Sequence, residues 1–229
     1  MESRCRSQWK APVAVRGGLA SAVAAAALVS LIGGCTSSAS VAPASPMPNS
    51  SDFALSLAEA QKLVRIPIPE GDPVYAGLDS PRVDHALDNR MSAPCRGIFN
   101  QDNMFGSTWS NFRYLSYTGY SNVGVSQSIA VYPDPGAAQV IFDALEVNLK
   151  GCAADYPAET HGDPYTFTAV NNQTLMAQYP GSINGPGSVQ LYHLDSQIVI
   201  EVGTHHQGTE PDGAQKILSA ITRKIHSAA

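Results

Sequence analysis

The chain has 229 residues, with 14 Lys and Arg against 19 Asp and Glu, so its formal net charge is -5 at neutral pH. A negative surface repels phosphate backbones, so we expect no nucleic-acid partner. Four cysteines and six histidines are the residues whose placement bears most on redox or metal chemistry.

The N-terminal segment has the order of parts of a bacterial secretory signal. Basic residues come first, an apolar run extends from Leu19 to Ile32, and the segment ends in Leu31-Ile32-Gly33-Gly34-Cys35. This ending resembles the lipobox of bacterial lipoproteins, which implies that the Cys35 sulfur receives a diacylglyceryl group before residues 1–34 are removed. The alternatives are a retained transmembrane anchor and a secretory signal cut elsewhere. The apolar run has only about 14 residues, whereas a spanning helix needs about 20.

A lipid on Cys35 would place the protein outside the cytoplasm, on the outer face of the cell membrane. Residues 1–34 contain four of the 14 basic residues and one of the 19 acidic residues, so their removal leaves 10 against 18 and a net charge of -8. Such a protein lacks a basic patch for anionic headgroups. We therefore expect the lipid to provide the membrane attachment.

Residues 35–51 and 52–229 differ sharply in composition. After Cys35 the chain is uncharged and rich in Ser and Pro up to Ser51, which predicts an extended tether. Residues 52–229 contain no second low-complexity break, and their length suits a single domain.

Cys95 and Cys152 are the two cysteines of this domain. In an oxidising compartment, an isolated pair is most simply a disulfide. Two free thiols and a redox pair are the alternatives, although the sequence has no Cys-x-x-Cys motif to lower a thiol pKa.

The first half of the domain is predicted to contain one short helix and a hairpin. Ser56 and Glu59 have the spacing of a capping box, which predicts a helix ending near Val64. Residues 67–90 are rich in Pro, Gly and Asp and are predicted to form a loop, with at most one helical turn near 83–87. Two β-prone runs then predict paired strands over 112–120 and 123–132.

The second half alternates helical and strand patterns. Asp134 followed by Pro135 predicts the start of a helix that ends at Gly151. Its predicted buried side contains Ala137, Val140, Ile141, Ala144, Leu145 and Asn148. Strands are predicted over 165–170, 173–179, 188–194 and 197–202. A last helix from Pro211 should bury Ala214, Ile217, Leu218, Ile221 and Ile225. Short turns between strands require antiparallel neighbours, so the fold class is α+β, an antiparallel sheet with helices packed on it.

The sequence lacks the common catalytic and cofactor-binding motifs: Gly-x-Ser-x-Gly, His-Glu-x-x-His, a Walker loop and Gly-x-Gly-x-x-Gly after a strand. We therefore expect a non-catalytic domain without a cofactor. The densest polar cluster comprises His193, Asp195, Glu201, His205 and His206. A hairpin could bring Glu201 near His193 and Asp195, but a solvated turn is the preferred interpretation, and we expect no metal site.

Aromatic residues are concentrated between Phe105 and Tyr120, with Arg113 among them. Alternation places Arg113 and Tyr117 on one face of a strand and Phe112 and Tyr114 on the other. Trp109, Arg113 and Tyr117 are the candidate residues for a small-ligand cleft. Packing in the core is the alternative role for the aromatic residues.

The ordered set of motifs resembles the family of PknH-like extracellular sensor domains, which occur in mycobacterial serine/threonine kinases and in stand-alone lipoproteins. The resemblance lies in Pro94-Cys95-Arg96-Gly97, Phe105-Gly106-Ser107-Thr108-Trp109 with Arg113, the run from Gln127 to Pro133, Leu149-Lys150-Gly151-Cys152-Ala153, and the terminal helix. It implies a twisted antiparallel sheet flanked by helices, with a cleft for an unidentified extracellular ligand.

The family pattern also implies two disulfides, and this chain departs from it. Cys95 and Cys152 match one pair, whereas the approximate positions of the second pair hold Ser188 and His205. We expect that end of the domain to be looser here. No kinase accompanies the domain in this sequence, so a sensor role would need a separate signalling partner.

Three functions follow as hypotheses. The first is a non-enzymatic envelope lipoprotein that binds a small ligand or an envelope component. The second is an interaction module that modulates a membrane protein. The third is an envelope enzyme of unrecognised type, which would need convergent titratable groups in one pocket.

Overall fold

A computed structural model describes residues 47–68, 74–86, 88–119, 122–155, 166–181 and 185–228. The predicted signal, the lipobox with Cys35 and residues 36–46 of the predicted tether lie outside these residues. The tether was predicted to extend to Ser51, whereas Ser50 and Ser51 begin a helix and Ser50 is buried. Within the described residues, no helix has the length and apolar character needed to cross a bilayer.

A single antiparallel sheet organises the domain. Its strands are β1 (Val74–Leu78), β2 (Asn111–Thr118), β3 (Gly124–Val131), β4 (Thr166–Asn171), β5 (Thr174–Tyr179), β6 (Ser188–Asp195) and β7 (Ile198–His205). They lie in the order β1-β2-β3-β7-β6-β5-β4, so β3 and β7 are central and β1 and β4 form the edges. The six predicted strands are present, as is the antiparallel α+β class.

Helices cover both faces of this sheet. They are α1 (Ser50–Phe53), α2 (Leu57–Gln61), α3 (Ala93–Phe99), α4 (Gln101–Phe105), α5 (Pro135–Asp155) and α6 (Asp212–Ala228), with a 3-10 turn at Asp88–Arg90. One face carries α1, α2 and α6, and its core includes Val125, Ile200 and Ile221. The other carries α3, α4 and α5, and its core includes Phe112 and Phe142.

The two predicted helix starts and the terminal helix are confirmed. The Ser56 hydroxyl accepts a hydrogen bond from the Glu59 backbone N–H at 3.3 Å, and the Glu59 carboxylate accepts one from the Ser56 N–H at 2.7 Å. Pro135 begins α5, and Asp134 Oδ1 accepts from the Ala137 N–H at 2.8 Å. The five residues predicted for the buried stripe of α6 are all buried.

The predicted end of α5 is wrong and its predicted buried face is only partly correct, because Leu145 is buried and Ala137 and Ile141 are partly buried against the core. Its buried residues are Ala138, Phe142, Leu145, Leu149 and Cys152. Val140 is 67% exposed, and the helix continues through Gly151 to Asp155. The buried face of α5 is rotated relative to the predicted one for two reasons that helical periodicity does not show. The large Phe142 ring enters the core, and Cys152 must face α3.

The predicted disulfide is present between Cys95 in α3 and Cys152 in α5, with a Cα–Cα distance of 4.6 Å. It joins the helix before the hairpin to the helix after it. Both cysteines are buried within the core under α5.

Four elements were not predicted: β1, α1, α3 and α4. The interval 67–90 was expected to be loop, yet it contains β1, whose pairing with β2 runs from Val74 opposite Thr118 to Leu78 opposite Tyr114. This edge strand takes its hydrogen-bonding partner from a segment about 40 residues away, so its composition alone does not indicate it. Helices α3 and α4 were also missed, because each is too short for a helical periodicity to be recognised.

Candidate functional site

A polar region occupies half of the sheet face that carries α3, α4 and α5. Alternate residues of β2, β3, β7 and β6 point to this face. Near α5 they are apolar, including Phe112, Ala130, Val199 and Leu194. Further along the same strands the apolar residues are replaced by small or polar residues, so one face is divided into a core and a polar part.

The register defines two adjacent rows of this polar part. In the first row, Ser116 lies opposite Ser126, Ser126 opposite Gly203, and Gly203 opposite Gln190. In the second row, Thr118 lies opposite Gly124, and Gly124 lies opposite His205. Ser188 follows at the next position of the β6–β7 ladder and lies opposite Tyr179 of β5. We call the set Ser116, Thr118, Gly124, Ser126, Ser188, Gln190, Gly203 and His205 the polar floor.

Gly203 permits the closest contact within the polar floor. The Ser126 hydroxyl and His205 Nε2 are 2.9 Å apart. A Cβ at position 203 would lie 2.5 Å from Ser126 Oγ and 2.9 Å from His205 Nε2. The two side chains therefore meet across the space that a side chain at 203 would fill.

Gln190 is held by two tyrosines. Its Oε1 accepts a hydrogen bond from the Tyr192 hydroxyl at 2.6 Å and a longer one from the Tyr179 hydroxyl at 3.5 Å. Among the described residues, no group accepts a hydrogen bond from the Gln190 Nε2, and the residue is only partly buried. The amide donors are thus oriented and available.

A buried carboxyl borders the polar floor. Glu201 is 5% exposed, and its Oε2 accepts a hydrogen bond from the Ser128 hydroxyl at 2.6 Å. Gln101 of α4 donates to Ser128 Oγ at 3.2 Å and accepts from the Arg82 N–H at 2.9 Å. This chain of contacts ties the segment before α3 to the central strands.

Burial shifts the pKa values of Glu201 and His205 so that each group favours its neutral form. It raises the pKa of Glu201 above its usual range, against the smaller lowering effect of the Ser128 hydrogen bond. Burial, with a smaller contribution from His206, lowers the pKa of His205 to about 4. His205 is therefore uncharged at neutral pH.

The predicted polar cluster is split between the two faces. Glu201 lies opposite Tyr192, not opposite His193, so Glu201 and His205 are on the polar-floor face. On the other face, His193 Nδ1 contacts Thr174 Oγ1 at 2.9 Å, and Asp195 pairs with His226 of α6 at 2.9 Å. The suggestion that Glu201 comes near His193 and Asp195 is wrong. The described residues contain no group of three or more potential metal ligands.

The contact between Ser126 and His205 has the spacing of a nucleophile and its base, but the rest of a catalytic triad is not assembled around it. The neighbouring carboxyl, Glu201, is engaged by Ser128 and not by the imidazole. The Ser126 side chain belongs to a residue that is 5% exposed. This geometry does not provide the convergent acid, base and nucleophile of a hydrolase.

The three candidate ligand residues occupy different environments. Trp109 lines a shallow recess of about 340 Å³ with Asp79 and residues 49–51 and 110–112, and its Nε1 donates to the Gly106 carbonyl at 3.1 Å. Arg113 pairs with Asp79 at 2.7 Å, beside this recess. Tyr117 is 5% exposed and donates its hydroxyl to the Leu55 carbonyl at 3.0 Å. Trp109 and Arg113 are thus related through Asp79, which lines the recess and pairs with Arg113, and Tyr117 is in the core.

A wider groove of about 730 Å³ lies between α2 and α6. Its lining combines Leu55 and Leu63 with charged residues, and the Lys224 ammonium pairs there with the Glu59 carboxylate at 3.1 Å. Because it is open to solvent and its ion pair already engages Glu59 and Lys224, it offers less defined recognition chemistry than the polar floor.

The polar floor was missed in the sequence, although a signal was present. In β7, Glu201, Gly203 and His205 occupy alternate positions, separated by Val202 and Thr204, and in β3 Gln127 separates Ser126 from Ser128. The sequence analysis did not assign these alternate positions to one face. Only the strand order brings these alternating positions together.

Ser188 and His205, where the family resemblance implies a second disulfide, are cross-strand neighbours at the end of β6 and β7. They follow directly after the pair of Val189 and Thr204. The Ser188 hydroxyl accepts a hydrogen bond from the His206 N–H at 3.0 Å. The departure from the family pattern therefore falls within the polar floor.

Comparisons with known proteins agree with this architecture. The family described as the PknH-like extracellular domain matches residues 50–224. The crystal structure of the extracellular domain of PknH from Mycobacterium tuberculosis is similar with a TM-score of 0.53 and 13% sequence identity, over 77% of this chain and 94% of that chain. No curated protein shows significant sequence similarity to this chain. The match over most of the chain and the shared fold show that this protein belongs to the family of PknH-like extracellular domains.

Proposed function

We propose that this protein is a cell-envelope lipoprotein whose sensor-type domain binds a small extracellular ligand or envelope component on the polar floor. The family is consistent with a non-catalytic domain in an extracytoplasmic location. Lipid on Cys35 would hold the domain at the outer face of the cell membrane, and the Ser- and Pro-rich segment after Cys35 would act as the tether.

The observation that carries this proposal is the division of one sheet face into an apolar core and a polar floor. A central sheet face that served packing alone would continue its apolar pattern, because burying polar side chains costs free energy. Here a glycine, Gly203, and an oriented amide, that of Gln190, occupy positions on this face instead of apolar side chains. Concave sites with few well-placed polar groups are typical of small-molecule recognition.

Thermal unfolding in the presence of envelope extract tests the proposal. We expect at least one water-soluble fraction to raise the Tm of the folded domain by linkage. Gly203→Ala should abolish this shift, because the new Cβ intrudes between Ser126 and His205.

Gly213→Ala is the matched control, since the nearest atom to its added Cβ is 3.6 Å away and it lies in α6 on the other face. Failure of every fraction to shift the Tm, or an equal shift in both variants, would contradict binding on the polar floor.

A protein partner is the second candidate, supported by the edge strand β4. Five of its six residues are exposed, and it contains no charged residue and no proline. Natural edge strands usually carry a charged residue or a proline that prevents their free main-chain groups from pairing with another chain. Pull-down with the full lipidated chain should then enrich one membrane protein, and Thr168→Pro should reduce that enrichment.

A further inference from the structure

We propose that the polar floor recognises a neutral, hydroxyl-rich molecule, that is, a carbohydrate of about two or three sugar units. This inference rests on the proposed binding function and specifies the ligand chemistry of the same site. It is argued from the charge, hydrogen-bonding capacity, extent and aromatic border of the polar floor.

The polar floor presents no fixed charge. Its members are serines, a threonine, a glutamine, two glycines and His205. Burial keeps the His205 imidazole neutral, and the bordering Glu201 carboxyl is already bonded to Ser128. No member of the polar floor would supply a cation to an anionic ligand or a free carboxylate to a cationic one, and Arg82, whose charge acts on Glu201, pairs with Asp84 at 4.0 Å.

Hydroxyl and amide groups suit a partner that both donates and accepts hydrogen bonds. The half-buried pair of Ser116 and Thr118, whose hydroxyls are 3.2 Å apart, supplies both donors and acceptors. The Gln190 amide is fixed by Tyr192 so that its N–H groups stay available. Sugar hydroxyls have the same dual capacity.

The extent of the polar floor fits a short oligosaccharide. It crosses β2, β3, β7 and β6, which at a strand separation of about 4.8 Å corresponds to about 14 Å. A monosaccharide would contact only part of this width. The site is therefore matched to a chain of sugar rings lying across the strands.

Aromatic residues border one end. Tyr179 lies opposite Ser188 at the end of the second row, and its ring centroid is 6.2 Å from that of Phe99. The C–H faces of sugars are apolar and pack against such rings, while the Tyr179 hydroxyl keeps its contact with Gln190. An aromatic end beside a hydroxyl-rich floor is the combination that a sugar ring requires.

Isothermal titration calorimetry with the folded, disulfide-bonded protein tests this assignment. The probes are maltotriose, cellotriose, mannotriose and arabinotriose, with trigalacturonate and inorganic phosphate as anionic probes. We expect at least one neutral trisaccharide to bind, with an affinity that does not change between about 0.05 and 0.5 M salt, because no ion pair contributes.

Two variants locate the binding. Gln190→Leu and Ser116→Ala should each weaken trisaccharide binding about three- to tenfold, the effect of losing one or two hydrogen bonds. Gln215→Leu, an exposed glutamine of α6 on the other face, is the matched control and should leave the affinity unchanged. Thermal unfolding of each variant verifies that it is folded.

The inference is overturned if no neutral trisaccharide binds at about 10 mM, a limit of weak affinity, if only the anionic probes bind, or if Gln190→Leu and Ser116→Ala bind like the native protein. Periodate, which cleaves vicinal diols, separates this result from the broader proposal. An extract fraction that still shifts the Tm after periodate, but not with Gly203→Ala, would keep the polar floor as a ligand site and overturn the carbohydrate assignment.

Discussion

The side chain of Gln127 makes two hydrogen bonds with the backbone of Leu55, 72 residues earlier in the chain. The Leu55 N–H donates to Gln127 Oε1 at 2.8 Å, and Gln127 Nε2 donates to the Leu55 carbonyl at 3.0 Å. Gln127 is 1% exposed, and its strand is central in the sheet. One buried amide therefore fixes the segment between α1 and α2 onto β3.

Replacing Gln127 with Leu should destabilise the domain by about 1–3 kcal/mol, because it leaves the buried Leu55 N–H without an acceptor. Urea unfolding followed by circular dichroism measures this change. Gln215→Leu on the exposed side of α6 is the control and should change the free energy of unfolding little. Equal stability of Gln127→Leu and the native protein would show that the amide is dispensable.

A substitution of Tyr117 can distinguish a structural role of this residue from a role in ligand binding. Tyr117→Phe removes the hydrogen bond to the Leu55 carbonyl, which keeps Gln127 as a donor, so we expect a loss of about 1 kcal/mol. Its effect on the Tm shift caused by an active extract fraction should be negligible if Tyr117 acts only in the core. A normal Tm with a lost extract effect would instead identify Tyr117 as a ligand residue.

Trp109 can report on the recess beside Asp79. Trp9 lies in the predicted signal, so Trp109 is the sole tryptophan of residues 35–229. If the recess takes part in binding, an active extract fraction should change the Trp109 emission, and Arg113→Gln should alter that response. Unchanged emission with every active fraction would remove the recess from the binding surface.

Acid should destabilise the domain through His205. Its pKa is about 4 in the folded state and near 6.5 when unfolded, so the unfolded chain binds more protons between these values. Stability is complete above about pH 6.5 and falls as the pH approaches 4, by at most about 3 kcal/mol. His205→Gln should reduce the loss of Tm between pH 7 and 4.5, whereas His226→Gln, a largely exposed histidine, should not. An identical acid response of native protein and His205→Gln would contradict this assignment.

Cys35 tests the anchoring proposal. In a bacterial host that processes lipoproteins, the native chain should incorporate labelled palmitate and partition with membranes. Cys35→Ala should lose the label and either release a folded domain or remain as an unprocessed precursor. A variant that stayed in the membrane with residues 1–34 removed would exclude the lipobox interpretation.

Local signals in the sequence were accurate where neighbouring residues alone determine the structure. The capping box of Ser56 and Glu59 and the helix start at Pro135 depend on contacts within one turn, and both form as predicted. The buried stripe of α6 was also correct, because five apolar residues repeat at helical spacing against a polar background.

Prediction failed where a distant partner decides the outcome. The strand β1 exists because β2 supplies its hydrogen bonds. The rotation of α5 depends on Phe142 and on the bond from Cys152 to Cys95, so Val140, apolar and correctly spaced, is left exposed. Helical periodicity could not discriminate between two sides of similar composition.

The α+β class, most of the elements, the pairing of Cys95 with Cys152 and the family resemblance could be predicted from the amino-acid sequence alone, because each depends on local pattern or on a small number of choices. The fold was needed to show that Glu201 and His205 share a face with Ser126 and Gln190, while His193 and Asp195 face α6. Alternation along a strand assigns residues to two sides, but the order and register of four strands decide which sides meet. The polar floor is therefore a property of the sheet, and no single strand of the sequence contains it.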